Sequence, residues 1–323
     1  YQTLGEMDNG DILVYLDAGS TLSPSKATKV PSFWNAELLN KVPENSSNVI
    51  SFSFAKNVAF SGKYDIIIAF QEGQTTKMAQ HILAPMKIAW VHSIFSRLIT
   101  IVNVTDSYEG YDKIVCVSHT AAKDMIECKP QWKNKIKVVY NAVNPKLIND
   151  KAKREEEFNK KINLVSVGRI APVKRFSYIP AIANQLKSLG YQFDWRIIGG
   201  VADSEEYTKL LDNIGKYNVS DCVHLLGSMS NPYPYIKGAD IYMQPSRHEG
   251  KPISVEEAKI LCKPILVTNY TSAREQLENG KFGMITEISE EGIYGGLKVF
   301  LNDEALRLQY SRILSEIKKE KSE

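Results

Sequence analysis

The sequence predicts an α/β protein of parallel sheets with helical crossovers, because short apolar runs alternate with helix-length amphipathic stretches almost from end to end. Two runs, DIIIAF at 65–70 and IVCV at 114–117, are apolar throughout, as strands covered on both faces are. The chain of 323 residues is long enough for two domains at roughly 100 to 200 residues each. An almost wholly polar tract, INDKAKREEEFNKK at 148–161, separates one α/β series from the next. The expected division is a first domain at 1–150, a linker at 151–161 and a second domain at 162–323.

In the first series the expected strands are 11–16, 49–54, 64–70, 87–92, 113–118 and 137–140, with helical spacing at 75–83 and 120–126. The second series restarts with a strand at 162–167. Phe176, Ile179, Ile182, Leu186 and Leu189 then recur every three or four residues, marking a helix with Pro180 near its start. Strands follow at 194–198, 223–226, 240–244 and 264–268, and helices at 204–214, 252–261 and 272–277. A final helix is expected over 304–319.

Composition narrows the function classes. With 43% hydrophobic and 24% charged residues the chain is ordinarily globular, and a formal charge of +3 is too small for a general nucleic-acid binder. No stretch approaches 18 uninterrupted apolar residues, and the first twenty residues lack a secretory pattern. Cys116, Cys128, Cys222 and Cys262 have no CxxC spacing, so they read as small hydrophobes in a reducing compartment, the cytoplasm.

Two segments carry candidate chemistry. Residues 241–268, IYMQPSRHEGKPISVEEAKILCKPILVT, read strand, loop, helix, strand, with Pro252 suited to the first turn of the helix. That helix starts at the carboxyl end of a parallel strand, where free amides and partial positive charge suit a phosphate. Glu249 sits on the loop and Glu257 in the second helical turn, and carboxylates there suit sugar or ribose hydroxyls. Spacing alone does not favour that role over a surface loop position for Glu249 and a solvated helix face for Glu256 and Glu257. The second segment, VSVGRIAPVKR at 165–175, places Arg169 and Lys174 at another strand end, where a guanidinium and an ammonium can together neutralise a diphosphate. RIIGG at 196–200 lacks the GxGxxG pattern, and GxxxxGK[ST] is absent, so dehydrogenase and P-loop readings lose their evidence.

Taken together, VSVGRIAPVKRFSYIPAIANQL, DWRIIGG, CVHLLGSMSN and GADIYMQPSRHEGKPISVEEAKILCKPILVTNY resemble, in order and spacing, the family-4 glycosyltransferases. YDKIVCVSHTAAKDMI and VVYNAVNP extend the likeness more weakly. The resemblance implies the GT-B fold, with two facing Rossmann-like domains, and a retaining, metal-independent transfer from a UDP- or GDP-sugar with no further cofactor. Glu249 and Glu257 match the family's two glutamates separated by seven residues, and Arg169 and Lys174 its Arg-x4-Lys phosphate loop. By position, Glu249 would contact the transferred sugar and Glu257 the ribose. Gly250, Lys251, Ile253 and Ser254 would meet sugar and phosphates through their amides, and Leu226, Gly227 and Met229 would flank the base. His92, ending IAWVHS, resembles a histidine that meets the donor sugar from the first domain. The acceptor implied is a saccharide or lipid-linked saccharide of surface-polysaccharide assembly, with peripheral membrane contact and no nucleic-acid partner.

Departures from the family gather at the beginning, where its glycine-rich loop is not found and an incomplete N-terminal domain is therefore expected. NGDILVYLDAG at 9–19 instead resembles an Asp-x-Asp metal strand, but Gly19 replaces the second aspartate and no metal site is assigned to Asp17. Arg175 stands where the family commonly has glycine. Two alternatives share the donor site: a sugar-nucleotide 2-epimerase, and a nucleotide-sugar binding module without catalysis.

Overall fold

The computed structural model describes residues 65–70, 72–80, 83–101, 108–153 and 162–320. The strands expected at 11–16 and 49–54, the Asp17 segment and the polar tract from 154 to 161 lie outside the described residues. The chain divides into two compact units between Tyr140 and Asn141.

In the first unit, β1 (Ile66–Ala69), β2 (Met86–Val91), β3 (Lys113–Cys116) and β4 (Ile136–Val138) pair in parallel in chain order. They are joined by α1 (Gln74–Ala79), α2 (Phe95–Ile101) and α3 (His119–Cys128). Ser118 caps α3 by accepting from the Ala121 amide at 3.0 Å, which satisfies one of the orphan donors of the first turn. Phe95, Tyr108 and Trp132 pack against one another in the core.

The second unit opens earlier than the polar tract suggests. Helix α4 (Pro145–Lys151) buries Ile148, which with Ala152 joins a core containing Tyr242, Val255 and Leu261. Residues 141–150, expected in the first domain, therefore belong with the second, because two apolar residues inside a polar stretch are enough to dock the helix. The strands β5 (Ile162–Val167), β6 (Phe193–Ile198), β7 (Val223–Gly227), β8 (Ile241–Gln244), β9 (Ile265–Thr268) and β10 (Met284–Thr286) form one parallel sheet in the order β10-β9-β8-β5-β6-β7. From β5 the chain winds outward through β6 and β7, then returns to start β8 on the other side of β5. This is a topological switch point, the place on the carboxyl edge where open α/β sheets bind their ligands.

Leu164, Trp195, Ile197 and Met243 face α5 (Ile179–Ser188) and α10 (Glu290–Asn302) on one side. Val165, Ile198, Tyr242 and Val267 face α7 (Tyr233–Gly238) and α8 (Ile253–Ile260) on the other. The remaining helices are α6 (Ser204–Lys216), capped by Asp203, the short α9 (Ala273–Gln276), and α11 (Glu304–Glu320). At the carboxyl edge the backbone of Gly199 lies against Gly168: a β-carbon on Gly199 would stand 1.7 Å from the Gly168 carbonyl oxygen, so only glycine fits.

The expected strands and helices in the described residues occur within a few residues of their predicted limits, but α2, α4, α7, β10 and α10 were not anticipated. Gly292, Gly295 and Gly296 lower the helix propensity of α10. Gly296 is there for contact: a β-carbon would come within 2.6 Å of the Thr286 methyl and 2.8 Å of Leu266.

Candidate active site

The loop after β5 and the loop after β8 meet at the switch point. The Arg247 amide donates to the Val173 carbonyl at 2.8 Å, tying the two backbones together. Across that tie the Lys174 ammonium donates to Glu249 Oε1 at 2.6 Å, with side chains 14% and 13% exposed. A short 3-10 turn, Pro172–Lys174, turns the lysine inward, and its methylenes lie over Gly168. Ser246 Oγ donates to the same carboxylate oxygen at 2.6 Å and accepts from Gln244 Nε2 at 2.7 Å; Tyr242 donates in turn to Gln244 Oε1 at 2.9 Å. A fully buried polar chain thus leads from β8 to the rim where Glu249 lies.

Arg169 also follows β5, but it is exposed and makes no hydrogen bond or ion pair with the described residues. Arg175, the residue after Lys174, adopts the left-handed conformation with φ 55° and ψ 32°, which explains why glycine is the easier occupant there. Its guanidinium turns away from Glu249, donating to the Ile288 carbonyl at 3.0 Å and lying 4.9 Å from the Tyr178 ring.

Pro252 is the N-cap of α8, one position before the helix, and no side chain caps this start. The first-turn amides of Ile253 and Ser254 must be satisfied from outside the helix, and they lie beyond the buried Gly250 and half-buried Lys251 on the same loop. The two neighbouring glutamates of α8 part company. Glu256 accepts from Gln276 Nε2 at 3.0 Å and pairs with Lys259 at 3.2 Å, a structural role. Glu257 accepts from the Tyr233 hydroxyl at 3.0 Å and has no salt bridge among the described residues. Burial pushes the Glu257 carboxyl above the usual glutamate range, opposed by the Tyr233 hydrogen bond. Burial and the Glu257 charge push the Tyr233 phenol up as well, so it remains a donor. Leu226 and Met229, at the end of β7, pack into the cluster that contains Tyr233, and Gly227 turns the chain at φ 71°. Tyr233 was not among the residues that the sequence singled out.

His92 belongs to the first unit, directly after β2. Its amide and that of Ser93 both donate to Glu72 Oε1, and the Phe70 ring stands edge-on at 4.8 Å. Burial holds the imidazole below its ordinary pKa, an effect the Glu72 carboxylate opposes. Among the described residues no three His, Cys, Asp or Glu side chains group as a metal site, and no helix is long and apolar enough to cross a membrane.

Residues 148–315 match the family model described as Glycosyl transferases group 1. A Campylobacter jejuni N-acetylgalactosamine-N,N'-diacetylbacillosaminyl-diphospho-undecaprenol 4-alpha-N-acetylgalactosaminyltransferase is 25% identical over 250 residues, covering 76% of this chain and 66% of the relative. The Staphylococcus aureus capsular polysaccharide biosynthesis glycosyltransferase CapM is 26% identical over 209 residues, covering 60% of this chain and 53% of the relative. The chain thus spans less than two thirds of the length of either. Among solved structures, Anabaena HepE in complex with UDP and glucose superposes with a TM-score of 0.66 at 16% identity, covering 80% of this chain and 74% of that one. Sucrose-phosphate synthase from Thermosynechococcus elongatus gives 0.64 at 14% identity, covering 78% and 68%.

Proposed function

Because the chain belongs to the Glycosyl transferases group 1 family and has the GT-B fold, we propose that it moves a sugar from a nucleoside-diphosphate donor to a saccharide or lipid-linked saccharide, with retention and without a metal ion. The observation that carries this reading is the 2.6 Å contact of Lys174 with Glu249 at the switch point, which gathers a cation and a carboxylate beside the open start of α8. A cation there neutralises a diphosphate, and a carboxylate accepts from sugar hydroxyls.

In the proposed step the bond between the anomeric carbon and the β-phosphate oxygen breaks, and its electron pair leaves with the diphosphate. Arg169 and Lys174 offset the charge that builds there, together with the amides of Ile253 and Ser254. The acceptor oxygen bonds to the same face of the anomeric carbon, and its proton passes to the departing phosphate oxygen. Glu249 holds the transferred sugar, Glu257 the ribose, and Leu226, Gly227 and Met229 border the base. From the family resemblance, His92 is the first unit's candidate for contact with the donor sugar. The C. jejuni and S. aureus relatives favour an acceptor in polysaccharide or lipid-linked saccharide assembly. The UDP in the HepE complex favours a UDP-sugar as the first donor to try.

The test is a thermal-shift screen of UDP-, GDP- and ADP-sugars, followed by transfer assays with the donor that raises the unfolding temperature, in EDTA and in manganese. Stabilisation by a nucleotide sugar and transfer that persists in EDTA are expected. Strict dependence on manganese overturns the metal-free mechanism, and donor turnover that needs no acceptor and yields an epimer overturns transfer itself.

A further inference from the structure

The segment from the end of β9 through α9 runs beside the loop after β8, and three of its side chains donate to that loop's carbonyls in register. Thr268 Oγ1 donates to the Ser246 carbonyl, Ser272 Oγ to the Glu249 carbonyl at 3.1 Å, and Gln276 Nε2 to the Pro252 carbonyl at 2.9 Å. The donors recur every four residues, while the acceptors advance by three. All three donors are essentially inaccessible, with 0%, 0% and 1% exposure. Gln276 is itself locked, accepting from the Tyr270 hydroxyl at 2.8 Å and donating to Glu256 at 3.0 Å.

Loop carbonyls are ordinarily left to water, because loops run over the surface. Here every third one is satisfied by a buried side chain, and the positions gripped are the ones that matter: the residue whose hydroxyl contacts the Glu249 carboxylate, Glu249 itself, and the N-cap of α8. Resting on the donor-site reading above, we infer that Thr268, Ser272 and Gln276 form a strap of positioning residues that fixes the active-site loop before donor arrives. Ser272 sets the sugar-binding carboxylate, and Gln276 sets the helix start that receives the diphosphate. The strap touches no substrate. Its effect is preorganisation, which spares the loop an ordering cost on binding.

The experiment compares wild type, Ser272→Ala and Gln276→Met by titration with UDP and with UDP-glucose, and by hydrogen–deuterium exchange of the ligand-free proteins. Ser272→Ala is expected to weaken UDP-glucose about 5- to 10-fold and to leave UDP within about 2-fold, since Glu249 meets only the sugar. Gln276→Met is expected to weaken both probes. Exchange should quicken in residues 246–252 of Ser272→Ala while the strands of the sheet keep their protection. Wild-type affinities and exchange in Ser272→Ala overturn the strap, as does an equal loss for UDP and UDP-glucose with protection lost throughout the unit. If the wild type binds neither probe, the UDP-donor reading falls by itself, and exchange alone decides: local quickening supports the strap, and unchanged exchange overturns it.

Discussion

Glu249 meets an ammonium and a hydroxyl at 2.6 Å each, whereas Glu257, eight residues on, meets one tyrosine hydroxyl at 3.0 Å and forms no salt bridge among the described residues. The two acids share a segment and a residue type, but their surroundings are opposite. A carboxylate gripped by a cation and an O–H is oriented before any ligand arrives. A buried carboxyl with one neutral partner is incompletely satisfied, and it gains most when new donors approach it. On the proposed reading the first acid positions the sugar and the second answers to the ribose.

The largest break in this comparison comes from removing the first acid. Glu249→Ala leaves the Lys174 ammonium without its carboxylate in a setting only 14% exposed, and loss of one partner of such a pair costs about 3 kcal/mol. Urea unfolding of the variant should show a loss of that order. Transfer should fall about 100-fold, the rate equivalent of a similar loss in the transition state. Glu257→Ala removes no ion pair, so its unfolding midpoint should move far less. Equal destabilisation by the two substitutions would erase the distinction drawn between them.

Next in size is Arg169→Ala. The guanidinium is exposed and has no partner among the described residues, so stability should not change. If it binds the diphosphate, affinity for UDP should drop by about 1.5 to 3 kcal/mol, the worth of a charged hydrogen bond. Titration of UDP into the folded variant measures this, and unchanged affinity removes Arg169 from the site.

Much of this was legible in the sequence, and what was not has a physical reason. Chain order and short-range spacing put Arg169, Lys174, Glu249 and Glu257 at strand ends and a helix start, and the family resemblance, not spacing alone, singled them out. Strand order placed the loops after β5 and β8 side by side, and two such adjacent loops allowed Lys174 to reach Glu249. Ser272 and Gln276 were invisible in that way: each is an ordinary polar residue whose meaning lies in a carbonyl more than twenty residues distant. Helix α4 was hidden by its charges, since only Ile148 and Ala152 of the stretch face the core. Helix α7 was masked by prolines, and with it went Tyr233, the partner that separates Glu257 from Glu256.

A subtler contrast appears in pH. Burial raises the folded-state pKa of Glu257 above its unfolded value, so the folded chain holds that proton to higher pH than the unfolded chain does. The stability penalty is absent below the ordinary glutamate range and grows as pH rises through the raised pKa. Glu257→Gln carries no such charge, so its stability relative to wild type should improve over the same rise. Ribose hydroxyls donating to the carboxylate favour the ionised form, so UDP binding should release a fraction of a proton from wild type within that window and none through this group in Glu257→Gln. Calorimetric titration in two buffers of different ionisation enthalpy detects the release. Identical buffer dependence in both proteins would separate Glu257 from the ribose.

The smallest effect is expected at Arg175, and it asks whether loop shape or charge delivers Lys174 to Glu249 and not to Glu257. Arg175→Gly relieves a left-handed backbone that costs a non-glycine residue about 1 kcal/mol. It also forfeits the hydrogen bond to the Ile288 carbonyl and the contact with the Tyr178 ring, losses of similar size and opposite sign. The net change in unfolding free energy should therefore stay within about 1 kcal/mol, and UDP affinity should hold, because this guanidinium points away from the Lys174–Glu249 pair. A loss of UDP affinity comparable to that of Arg169→Ala would mean that Arg175 swings back to the phosphates on binding. The loop after β5 would then supply a third cation, one whose direction in the ligand-free protein is set by Ile288.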